Sequence, residues 1–196
     1  MFTLEGLSLR LILLPFLAVV ITIHEFSHSF AAYKLGDSTA KMSGRLTLNP
    51  LAHLDKFGTL ALLFFGIGWG KPVPFNIYNL KNPKRDQALI AFAGPFSNLL
   101  MALALSFVYK ISPGGVMSSA VFMLVQLNLI LAFFNLLPIE PLDGFKVVLG
   151  FLPNRLAGDW LETQKYGLYI LIFLIVTGVV EKVVFAPVNL ILRWIL

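Results

Sequence analysis

The chain contains no cysteine and few charges, and each shortage removes a class of protein. Without Cys there can be no structural disulfide and no thiolate metal ligand. Charged residues make up 13% of the chain, against about 25% in a soluble globular domain, so an aqueous surface cannot be covered in the ordinary way. No polar stretch is long enough to fold a separate soluble domain. No basic patch interleaved with aromatics is present to bind nucleic acid, so no nucleic-acid partner is expected. What is abundant is apolar: 58% hydrophobic residues and a mean hydropathy of +0.83 describe an integral membrane protein whose partner is the lipid bilayer. The net charge of +5 then reflects basic residues flanking apolar spans.

A spanning helix needs about 20 mostly apolar residues. Candidates run from about Leu9 to Leu35, Gln87 to Tyr109, Val116 to Leu137 and Tyr166 to Val180, with Val183 to Leu196 closing the chain. Thr59 to Trp69 is too short to span and is followed by Gly70, Pro72 and Pro74, so it reads as a re-entrant or hairpin piece. The β-favouring Arg45–Leu48 lies just before it. The expectation is an all-α polytopic membrane protein with about five to six membrane segments and a re-entrant or β-hairpin segment after the first helix. It forms a single domain over 1–196, with a catalytic core at about 9–150 and C-terminal membrane helices at about 160–196. Leu11–Ile23 has the length of a signal-peptide core, but no small-residue cleavage site follows it, so it is expected to be retained.

Within the first apolar segment stands His24-Glu25-Phe26-Ser27-His28. Residues four apart share a helix face, so the two imidazoles can meet one metal ion. This is the His-Glu-x-x-His arrangement of zinc hydrolases, in which the carboxylate is the general base. A buried polar patch is the bland alternative. Ionisable groups are costly inside a membrane, however, and three of them in five residues point to function.

Catalytic zinc takes three protein ligands and keeps one position for water. The longer pattern with Gly and a third His further along the same helix is closed, because those positions hold Ala31 and Lys34, and no Glu occurs between Glu25 and Glu140. His53, Asp37, Asp55, Asp86 and Asp143 remain. His53 and Asp55 lie in a Pro- and Gly-punctuated loop and read as solvated or turn-stabilising. Asp143 follows Asn135-Leu-Leu-Pro-Ile-Glu-Pro-Leu, where prolines break a helix near membrane depth, as happens where polar sites are built inside bilayers. Asn98, one turn after Gly94-Pro95, reads as a helix-packing amide.

HEFSH, AGPFSN at 93–98 and NLLPIEPLDG, in that order, resemble the site-2 protease family of intramembrane metalloproteases, in its compact bacterial form without PDZ or CBS domain. The resemblance implies one Zn2+ per chain held by His24, His28 and Asp143, with Glu25 as base and Asn135 holding substrate or the oxyanion. It also implies a single-pass membrane-protein substrate and residence in a bacterial cytoplasmic membrane. Glu140 departs from the family pattern, which more often has an apolar residue or proline there. If the first helix runs outside to inside, all of the 15 Lys and Arg except Arg10, Lys110 and Lys182 fall on the cytoplasmic side, which puts the active site towards that face. A metal transporter is the rival reading, although the paired halves of many transporters are missing. An inactive relative that binds membrane helices is the other.

Overall fold

The computed structural model describes residues 4–66 and 68–196; Ile67, inside the expected re-entrant piece, lies outside the described residues. Helix α1 (Leu4–Lys34) carries the histidine motif in its C-terminal half. Three short-range elements follow: α2 (Thr39–Met42), a 3-10 turn at Pro50–Ala52 and the apolar helix α3 (Lys56–Phe65). Asp55 caps α3 by accepting from Gly58 N at 2.8 Å, and Gly66 ends it in the left-handed region at φ 79°. The chain then returns in extended form along α3. Only glycine permits this, since a Cβ on Gly58 would stand 2.2 Å from the Trp69 carbonyl oxygen. Among the described residues no strand forms; the single ladder contact is an antiparallel bridge between Leu54 and Gly70. The residues Arg45–Leu48, which favour β structure, form no strand, and the segment after the first helix is not a β-hairpin among the described residues.

Helix α4 (Pro83–Ile111) starts four residues before the expected Gln87, because Pro83 sits in its first turn, where no N–H is needed. It is antiparallel to α5 (Gly115–Asn135) across a short turn. Helices α1, α4 and α5 are mutually packed and form the frame of the molecule. After a turn come α6 (Asp143–Phe151), α7 (Asn154–Glu162), α8 (Gln164–Val176) and α9 (Val179–Ile195). Val184 and Val188 of α9 close a core with Ala102, Val125 and Leu129.

The polar stretch before the C-terminal segments forms α7. Its Trp160 stacks on Phe145 at 5.1 Å and donates to the Phe145 carbonyl at 3.1 Å. On length and apolarity, three helices among the described residues can cross a membrane: Gly6–Lys34, Pro83–Ile111 and Gly115–Asn135. A fourth span results if α8 and α9, bent by 75° at their junction, count as one. This is fewer than the expected five to six. The 59–69 piece yields only a ten-residue helix, 145–152 is the short α6, and left-handed Gly178 (φ 72°) breaks the C-terminal apolar run into two unequal rods. Large apolar side chains such as Leu11, Ile12, Phe107 and Phe173 stay exposed on the outside of the bundle, as a lipid-facing surface requires.

Candidate active site

Three helices bring the site together. α1 supplies His24, Glu25 and His28 on consecutive turns. α4 crosses behind them at Gly94, where a Cβ would stand 2.4 Å from His28 Nε2 and 2.7 Å from His24 Cε1, so both imidazoles lie against bare backbone. α6 begins with Asp143, and it can fold back there because Gly144 rests on the Leu136 and Leu137 carbonyls, 2.3 and 2.4 Å from where a Cβ would be.

His24 Nε2, His28 Nε2 and Asp143 Oδ2 converge: the two nitrogens are 3.0 Å apart and each is 3.2 Å from the carboxylate oxygen. The rest of the network fixes the ring tautomers. His24 Nδ1 donates to Asn98 Oδ1 at 2.6 Å and His28 Nδ1 to the Ile90 carbonyl at 2.7 Å, because both partners only accept. With Nδ1 donating, each ring in its neutral form turns an Nε2 lone pair towards a carboxylate oxygen that is buried and makes no hydrogen bond. A shared proton would satisfy two of these three acceptors; a cation satisfies all three. Zinc bound at about 2.0–2.1 Å spaces tetrahedral donors about 3.3 Å apart, close to the spacing here. The donor set fits the metal.

Similarity searches give the same direction. The chain is 37% identical over 90% of its length, and 87% of the relative's, to the candidate zinc metalloprotease YwhC of Bacillus subtilis. It is 29% identical over 82% of its length to the candidate zinc metalloprotease Rip2 of Mycolicibacterium smegmatis, of which it spans 64%. Residues 111–178, which include Asn135 and Asp143, match the model of peptidase family M50. The chain belongs to peptidase family M50, the site-2 proteases. No solved structure matches it.

The remaining candidates of this M50 chain are otherwise engaged. Asp55 caps α3, and Asp86 accepts from Asn82 N at 2.9 Å at the start of α4. Asp37 is fully buried beyond the end of α1. Burial opposes its ionisation, but bonds from the Thr39 hydroxyl, Asn79 Nδ2 and the Asn76 and Thr39 amides prevail and hold its carboxyl below the ordinary range. His53 is not solvated, as the sequence suggested, but wholly buried, and both ring nitrogens have partners: Nε2 donates to the Thr47 carbonyl at 2.7 Å and Nδ1 accepts from Arg45 at 3.4 Å.

Glu25 and Asn135 share with the three convergent side chains a cavity of about 410 Å³, also lined by Trp69, Gly70, Val73 and Lys146. Asn135 donates to the Leu131 carbonyl of its own helix at 3.0 Å. Two roles escaped the sequence. Asn98 does more than pack helices: it accepts from His24 and passes an N–H to Asn128 Oδ1 at 2.8 Å, while Asn128 donates to the Leu124 carbonyl. This amide chain crosses α4 and α5 with both side chains at most 1% exposed, and the available signal was two Asn on apolar helices. The other is Arg45, counted from sequence only as a loop charge, whose guanidinium is buried 3.9 Å from Glu25 Oε2.

Proposed function

We propose that this membrane metalloprotease of the M50 family is a zinc endopeptidase that hydrolyses peptide bonds in transmembrane segments of membrane-protein substrates, as in regulated intramembrane proteolysis. The observation carrying the reading is the convergence of His24, His28 and Asp143 beside Glu25 in one cavity within an apolar bundle. These three side chains would hold the metal. The chemistry zinc supplies when bound is Lewis-acid polarisation of the scissile carbonyl and water acidified towards pKa about 7.

The protein's own groups do the rest. Glu25 receives the proton of the attacking water on a carboxylate oxygen and returns it to the departing amine nitrogen. Asn135, on the cavity wall, offers an amide N–H to the oxyanion or holds the substrate chain. Asn98 and the Ile90 carbonyl keep both imidazoles in the Nδ1–H form, so that their Nε2 lone pairs stay available. The substrate helix must unwind to expose its amide, and the extended return 68–76 beside the cavity supports an extended strand better than a helix.

In this reading α3 and its return dip into the bilayer from the cytoplasmic side. The site then opens towards the cytoplasm, with His28 about 9 Å from the α1 end at Lys34, a depth water can reach through the cavity. The decisive experiment compares wild type with Glu25→Gln, purified with zinc and a single-pass membrane substrate. The variant should keep its zinc and still capture substrate while cleavage falls by about 10²–10⁴-fold. Near-normal cleavage at full zinc occupancy would make Glu25 structural and end this mechanism.

A further inference from the structure

The return segment that forms one wall of the cavity has little secondary structure to hold it. Gly68, Trp69, Gly70, Pro72, Val73 and Phe75 line the cavity, yet among the described residues the backbone ties of this stretch are the Leu54–Gly70 bridge and a 2.7 Å bond from Lys71 N to the His53 carbonyl. The wall is held from behind by a side chain. Arg45 Nη1 donates to the Pro72 carbonyl at 2.7 Å, and Nη2 donates to the Lys71 carbonyl. The same Nη2 faces His53 Nδ1, whose lone pair is free to accept because Nε2 carries the proton given to Thr47. Arg45 is 4% exposed and His53 is fully buried.

We propose that Arg45, oriented by His53, is a positioning residue for proteolysis: it clamps the Lys71 and Pro72 carbonyls and so fixes the cavity wall against which substrate lies beside Glu25. The proposal rests on the protease reading above. Three observations carry it. Two successive carbonyls and an imidazole require a planar fork of donors, which guanidinium provides and an ammonium does not. The arrangement is costly for mere stability, since a buried charge loses its hydration and the Arg45 Nε–H is left with no partner. Finally, Arg45 stands 3.9 Å from Glu25 Oε2, near enough to orient the carboxylate by charge but beyond a hydrogen bond, which leaves both Glu25 oxygens open for a proton.

The test uses the zinc-loaded protein in nanodiscs. Because the chain has no native thiol, a nitroxide attached through Pro74→Cys reports the motion of the wall directly. Arg45→Lys and Arg45→Gln are expected to increase nitroxide mobility at unchanged zinc content. In a Glu25→Gln background each should weaken capture of the membrane substrate at least about tenfold, the loss of one charge-assisted bond. His53→Leu should act in the same direction, with His53→Asn, which keeps an acceptor, closer to wild type. If Arg45→Gln fails to fold, Arg45→Lys and the His53 pair decide. Unchanged mobility overturns the proposal, and so does increased mobility with unchanged capture, since the wall would then be braced for stability alone. The mobility readout does not depend on cleavage, so a failure of the protease reading would appear separately, as no cleavage of the membrane substrate by the zinc-loaded wild type.

Discussion

Replacing Gly94 by alanine isolates the metal centre from every group that touches substrate. The added methyl would lie 2.4 Å from His28 Nε2, 2.5 Å from His28 Cε1 and 2.7 Å from His24 Cε1. Carbon needs about 3.5 Å from such atoms, so one or both rings must retreat by roughly 1 Å. Neither ring is free to do so cheaply: His24 is tied to Asn98 and His28 to the Ile90 carbonyl through their Nδ1 atoms. Overpacking of this kind costs about 1–3 kcal/mol, and metal donors tolerate displacements of only about 0.2 Å. If that strain falls on the liganded state, zinc affinity drops by roughly 5- to 150-fold. Competition against a chromophoric chelator measures it, and the absorption spectrum of the Co2+-substituted protein reports whether the coordination geometry has changed. Gly158→Ala is the control, because nothing lies within 4 Å of that site on α7; there alanine should be neutral or stabilise by about 0.5–1 kcal/mol. A Gly94→Ala protein that binds zinc within twofold of wild type, with an unchanged Co2+ spectrum, would refute the packing argument.

Asp143→Ala should lose both zinc and cleavage, whereas Asp55→Ala should keep about one zinc per chain and lose only a helix cap, about 0.5–2 kcal/mol in thermal unfolding; the reverse pattern in metal analysis would overturn the donor assignment. In intact cells an impermeant thiol reagent should label Ser112→Cys, in the α4–α5 turn, and spare Ser43→Cys, at the end of α2; the opposite labelling would put the cavity at the outer face. Asp37, whose carboxyl titrates lower folded than unfolded, contributes stability that is present above the unfolded value and lost as pH falls below about 4. Asp37→Asn should therefore lower the melting temperature at pH 7 and flatten its decline in acid, and an unaltered acid profile would count against the four-bond account.

The parts of the site legible in the sequence are those that local geometry dictates. Helical spacing alone puts His24 and His28 on one face, and the structure keeps them there on α1. Asp143 could be narrowed down but not reached by spacing, because its approach depends on a turn that Gly144 permits by lying on the Leu136 and Leu137 carbonyls, a contact between distant backbones. Arg45 and His53 were misjudged for the same reason. A Pro- and Gly-rich loop reads as solvated, and nothing local announces that the 68–76 return will fold over it and bury both side chains. The span count is least legible where periodicity carries little information, in short apolar runs such as Thr59–Trp69 and around Gly178, where an apolar sequence continues although the helix does not.

The order in which the chain is made gives the donor arrangement a further meaning. α1, with two imidazoles and Glu25, emerges first, while the carboxylate that completes the donor set sits on α6, after both long helices of the frame. If the protein cleaves membrane helices as proposed, the nascent chain is inert towards its neighbours until α4 has inserted to orient the rings and α6 has turned back to meet them. In the proposed reading, hydrolytic competence arrives only with the assembled bundle, and latency during synthesis follows from topology.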